Sequence, residues 1–110
     1  MRLQDAFFEL LSMRDAEGGF EADVRLIPEN VIFRAHFPGF PVTPGAVQVR
    51  MATELLSLHD SRDCRLQSAQ RVKFIAPLLP GDVITCSFKG NSVSFTREGS
   101  IITKMTLGYR

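Results

Sequence analysis

Cysteine is scarce in this chain. Cys64 and Cys86 stand apart, outside any Cys-x-x-Cys or Cys/His ligand spacing, which argues against a disulfide framework and a zinc site and fits a reducing cytoplasm. An excess of one charge is also lacking. Thirteen Lys and Arg face twelve Asp and Glu for a net charge of +1, and no segment carries the basic run that a phosphate backbone or an anionic membrane demands. Neither nucleic acid nor membrane is therefore an expected partner. Long hydrophobic runs are absent, because prolines break the apolar stretches well short of a bilayer span. At the start of the chain, Asp5 and Glu9 interrupt Phe7, Phe8, Leu10 and Leu11, and no small-residue cleavage site follows. The expectation is a cytoplasmic chain without a signal peptide.

What is present fits one compact domain over residues 1–110, with 45% hydrophobic and 23% charged residues. A chain of this length buries roughly two-thirds of its unfolded surface, enough for one core but with little room to enclose a large ligand alone. A subunit interface is the natural place to find more.

Residues 3–13 place Leu3, Ala6, Phe7, Leu10 and Leu11 at helical spacing, predicting a short amphipathic helix. Phe20, Ala22, Val24 and Leu26 alternate with charged residues and predict a half-buried strand, followed by the short apolar run 31–35. Residues 46–58 are apolar on most sides and predict a buried central helix, with Thr43 as N-cap and Pro44 in the first helical position. Strands are expected over 67–78, 82–89, 92–96 and 100–109, the last ones joined by hairpin-like turns. The sum is an α+β arrangement in which an antiparallel sheet wraps a helix.

The most informative stretch is His36-Phe37-Pro38-Gly39-Phe40-Pro41-Val42-Thr43-Pro44-Gly45, a proline- and glycine-rich loop set directly before the central helix. The first N–H groups of a helix lack intrahelical partners and carry the positive end of its dipole. Pro44 has no N–H, so Gly45 and Ala46 supply the first free ones, and the bare Cα of Gly45 lets a carbonyl oxygen approach: an oxyanion hole. A histidine on the same rigid loop, anchored through one ring nitrogen, suits a general base near neutral pH.

These ten residues resemble the His-Phe-Pro-Gly-x-Pro-Val-x-Pro-Gly signature of the 3-hydroxyacyl-acyl carrier protein dehydratases with the hot-dog fold, and of the related aryl-polyene-type thioester dehydratases. A second block, Arg71-Val72-Lys73-Phe74-Ile75-Ala76-Pro77-Leu78-Leu79-Pro80-Gly81-Asp82, is similar to the strand and proline-glycine-aspartate turn that follow the central helix in that family. The resemblance implies a hot-dog fold, a homodimer or higher oligomer with the site between subunits, an acyl carrier protein thioester as substrate, and no metal or organic cofactor. It implies that His36 removes a proton from C2, that the Val42 carbonyl orients the imidazole, and that the Gly45 N–H polarises the thioester carbonyl. Phe33, Phe37 and Phe40 either line an acyl tunnel or serve as core and interface aromatics.

One position departs from the family pattern. Where the family has a Glu or Asp fourteen residues after the histidine, reaching across from the partner subunit to help the hydroxyl leave, this chain has Arg50. A guanidinium keeps its proton and does not replace a carboxylic acid. Glu54, one turn on, offers a substitute in a shifted site; in the bland reading it is the i,i+4 ion-pair partner of Arg50. Alternatively, a related acid-bearing subunit completes the site in a heteromer, or the chain only binds acyl groups. Thioester hydrolysis is the rival activity on the same fold. His59, beside Asp60 near the helix end, is read as a capping or solvated residue without a site role, and the two cysteines as packing residues.

Overall fold

The computed structural model describes residues 2–35 and 42–110. Residues 36–41, among them His36, Phe37 and Phe40, on which much of the expected chemistry falls, lie outside the described residues.

The elements run β1 (Phe8–Ala16), β2 (Gly19–Leu26), α1 (Val31–Ala35), α2 (Gly45–Asp60), β3 (Leu66–Phe74), β4 (Val83–Lys89), β5 (Ser92–Arg97) and β6 (Ser100–Tyr109). The strands form one antiparallel sheet in the order β1-β2-β4-β5-β6-β3. Alternation makes the sheet legible: Phe20, Ala22, Val24 and Leu26 on β2, and Ile84, Cys86 and Phe88 on β4, are buried while their neighbours are not. They pack against one stripe of α2, where Gln48, Met51, Ala52 and Leu55 are buried at helical spacing. The remaining apolar positions of α2 are covered less. Val47, Val49 and Leu56 are half-buried and Leu58 is exposed, so the sheet of this chain covers one side of the helix rather than all of it.

The amphipathic helix expected over residues 3–13 is not formed. Residues 3–7 make a tight turn in which the N–H groups of Ala6, Phe7 and Phe8 all bond to Leu3 C=O and Asp5 takes φ 66°. The chain then enters β1, where a bulge between Leu10 and Ser12 leaves Leu11 as the extra, exposed residue. Such a bulge shifts the inward phase, so Phe8, Leu10 and Met13 face the core at spacings of two and three that imitate a helical period.

Two further expectations change. Pro44 is itself the N-cap of α2, which has no side-chain capping bond among the described residues, and the buried Thr43 hydroxyl has no hydrogen-bond partner among them rather than capping the helix. The strand expected to reach residue 78 ends at Phe74; beyond it Ile75 and Ala76 still donate their N–H groups to Ile102 C=O before Pro77 turns the chain away. Strand β3 lies at the sheet edge and is exposed along nearly its whole length, with apolar Leu66 and Phe74 uncovered and Ile75 uncovered just beyond its end.

Candidate active site at the start of the central helix

The first turn of α2 is fixed from three directions. Thr43 N–H donates to Leu78 C=O at 2.9 Å, tying the approach segment to the loop after β3. Gln48, only 2% exposed, accepts a 2.8 Å bond from Thr103 Oγ1 on β6 and directs its Nε2 to Thr43 C=O at 3.5 Å. The loop that presents Leu78 is held in turn by Asp82, whose Oδ2 accepts from Leu79 N–H at 2.8 Å and from Arg97 Nη1 at 2.5 Å, while Arg97 also reaches Pro77 C=O. The second sequence block therefore braces the helix start, and its aspartate acts through that brace.

Pro44 C=O accepts the first intrahelical bonds, from Val47 N–H at 3.0 Å and Gln48 N–H at 3.2 Å. The N–H groups of Gly45 and Ala46 precede these bonds and have no backbone acceptor among the described residues. This is the arrangement expected from the sequence: two bare amides at the positive end of a 16-residue helix. The ring of Phe74, the last residue of β3, lies against Gly45. A Cβ at residue 45 would sit 2.6 Å from Phe74 Cζ and 2.8 Å from Cε2, so glycine is needed for the ring to rest there. Phe74 is nonetheless half exposed and forms a wall beside the amide.

Arg50 and Glu54 form the i,i+4 pair of the bland reading, with Arg50 Nε 3.7 Å from Glu54 Oε2. The Glu54 carboxylate has a further occupation. It accepts Leu3 N–H at 2.7 and 2.9 Å and Gln4 N–H at 3.1 Å, anchoring the segment whose Leu3 is buried in the core. Val42 is half-buried at the edge of the described segment. Phe33 is buried and stacks on Phe7 with ring centroids 5.3 Å apart, so of the three aromatics around the histidine it is a core residue.

At the other end of α2, His59 has more partners than a simple cap. Its ring stacks on Phe20 at 3.9 Å, Phe20 stacks on Phe88 at 4.4 Å, and its two nitrogens meet Asp15 at 2.7 Å and Asp60 at 2.8 Å. Hydrogen bonds to Asp15 and then Asp60 hold the imidazolium and raise its pKa. Cys86, fully enclosed, has its thiol pKa pushed up by burial, as suits a packing residue.

Sequence reasoning passed over Gln48, Thr103 and Phe74. Gln48 did leave a signal: an amide on the helix face that otherwise carries Met51, Ala52 and Leu55 must find a buried partner.

Comparison with known proteins places this geometry in context. A chain of the dehydratase heterocomplex ApeI:P from Xenorhabdus doucetiae superposes with a TM-score of 0.64 at 21% identity, over 92% of this chain and 96% of that one. An uncharacterized protein from Erwinia carotovora subsp. atroseptica superposes with a TM-score of 0.67, also at 21% identity, over 92% and 95% of the two chains. Both likenesses support the hot-dog fold. No curated protein matches the sequence. The model of the ApeI-like family, described as ApeI dehydratase, matches residues 12–104, and the chain belongs to that family.

Proposed function

We propose that this chain is a subunit of a dehydratase that removes water from a 3-hydroxyacyl thioester borne on acyl carrier protein. The product is a trans-2-enoyl thioester for fatty-acid or polyene-like lipid synthesis. The observation that carries the reading is the braced helix start, where the Gly45 N–H stands ready for the thioester oxygen. Negative charge develops on that oxygen as a proton leaves C2, and a fixed amide at a helix N-terminus stabilises it. His36 takes the C2 proton, with Val42 C=O holding its other ring nitrogen and Phe37 beside the acyl chain. The C2=C3 bond forms as the C3–O bond breaks, and the departing hydroxyl takes up a proton to leave as water.

Arg50 cannot supply that last proton. Glu54 is engaged by two backbone N–H groups and by Arg50, which disfavours it as the missing acid. We infer that the acid comes from a second, related chain, in a heteromer whose two sheets join along exposed β3. Three observations support this: the uncovered β3 edge, the half-covered α2, and the fact that the similar ApeI:P protein is itself a heterocomplex. The same engagement of Glu54 disfavours thioester hydrolysis, which needs a free carboxylate near the helix start.

The test is to incubate a 3-hydroxyacyl carrier thioester with this chain alone, with an acid-bearing paralogue, and with the Arg50→Glu variant. Enoyl product is expected to form slowly or not at all with the chain alone. Product should rise by about a hundred- to ten-thousand-fold in the heteromer, and in part with the variant. Release of free thiol would assign hydrolysis instead, and binding without turnover in every mixture would leave a non-catalytic acyl-binding subunit.

A further inference from the structure

On the face of the sheet away from α2, strands β2, β4, β5, β6 and β3 form a groove of about 680 Å³. One row across it runs Glu21, Ser87, Ser94, Lys104, Lys73, each residue the register partner of the next. A second row runs Lys89, Ser92, Thr106, Gln70. Arg71 enters from the bulge in β3, where three residue steps from Gln70 to Lys73 oppose two from Thr106 to Lys104.

Three features of the groove are costly or unused in the chain alone. Lys104 and Lys73 are directly opposite on neighbouring strands, and like charges so placed repel. Arg71 is held at φ 52°, a left-handed conformation that arginine adopts only at a cost. None of Arg71, Lys73, Lys89 and Lys104 forms a salt bridge among the described residues. The sole carboxylate in the lining, Glu21, is already held by Arg14 at 3.1 Å and by Ser87 Oγ at 3.3 Å. The groove is thus rich in donors without a protein acceptor among the described residues, four cations and the hydroxyls of Ser92, Ser94 and Thr106, beside the exposed apolar side chain of Ile101, while Val93 and Met105 beneath them belong to the core face.

We propose that this groove binds a phosphorylated small molecule, its phosphate oxygens on Lys73, Lys104 and Arg71 and its organic part against Ile101. Its size decides between a small ligand and an acidic protein. The volume falls in the range of small-molecule sites, and the cations span three strand spacings, about 14 Å. A protein partner would need roughly 800 Å² of matching surface. The site is separate from the amides of Gly45 and Ala46 and does not depend on the proposed reaction.

Calorimetric titration of the intact chain at constant ionic strength tests it, with sodium pyrophosphate and adenosine 5′-diphosphate as probes. Saturable binding is expected, tighter for the nucleotide, and about tenfold weaker in Lys104→Gln and again in the Lys73→Gln/Lys104→Gln pair. Arg62→Gln, outside the groove, should leave affinity unchanged. In anion-free buffer Lys104→Gln should melt higher than the parent, because the repulsion is relieved. Several results would overturn the site: no saturable heat from folded protein, equal affinity in the double variant, or the same response to sulfate of matched ionic strength. Binding of a polyglutamate peptide but neither phosphate probe would assign the face to an acidic protein, and that too rejects the proposal.

Discussion

Thr103 on β6 and Gln48 on α2, both buried, share a 2.8 Å hydrogen bond that joins the sheet to the first turn of the helix. Gln48 also reaches back to Thr43 C=O, so the pair fixes the direction in which Gly45 presents its amide. Gln48→Leu leaves both buried partners without an acceptor or donor and should cost about 1–3 kcal/mol in denaturant unfolding. In the active assembly it should lower kcat more than it raises KM. Adding Thr103→Val should recover part of the stability without recovering kcat, because removing both polar partners restores satisfaction but not direction.

Gly45→Ala separates stability from chemistry in a different way. The new methyl would meet the Phe74 ring at 2.6 Å, but that ring is half exposed and free to swing outward. Stability should change by no more than about 1 kcal/mol, since alanine also favours the helix. Dehydration by the assembled enzyme should fall about a hundredfold or more, because the methyl keeps the thioester oxygen from the amide. Near-normal turnover in a correctly folded variant would remove the Gly45 amide from the mechanism.

Glu54→Ala takes the acceptor from Leu3 and Gln4 N–H. A loss of about 1–2 kcal/mol is expected, together with faster hydrogen exchange in the turn of residues 3–8. Exchange confined to its parental rate would show that the buried Leu3 side chain, rather than the carboxylate, holds that segment.

His59 gives the fold a pH dependence whose sign follows from its raised pKa. The contribution is complete below the unfolded histidine value of about 6.5 and disappears as pH rises through the higher folded value. The melting temperature should therefore drop by a few degrees across that window, less so at high salt because Asp15 is exposed. Asp15→Asn should flatten the drop. At the acidic end the sign reverses. Asp23, lowered to about 2 by Arg14 and then by Thr85 and Ser12, stabilises the fold above the ordinary aspartate value, and that stability is lost as pH falls toward 2.

How far the residues themselves disclosed this molecule depends on the range of the interactions involved. Strands β2, β4 and β5 and the central helix are legible because each is set by its own alternation or period, as the strictly alternating burial of β2 shows, whereas β3 has no such alternation and its expected end at residue 78 overran the strand by four residues. The start of the chain is not, because one extra residue at Leu11 gives a strand the spacing of a helix. The capping role expected of Thr43 failed for a long-range reason. Its backbone is engaged by Leu78 and Gln48, and its buried hydroxyl makes no bond to the helix N–H groups. The bonds from Glu54 to Leu3 and from Gln48 to Thr103 cross 51 and 55 residues, and no local pattern announces them. Arg50 beside Glu54 was legible, since i,i+4 spacing alone brings the two together.

Strand β3 ends the sheet with apolar side chains uncovered and, among the described residues, no strand on its outer side. Such an edge accepts any compatible strand, including one from another misassembled copy. Synthesis of this chain to a level at which that edge stays unpaired is therefore expected to feed insoluble deposits.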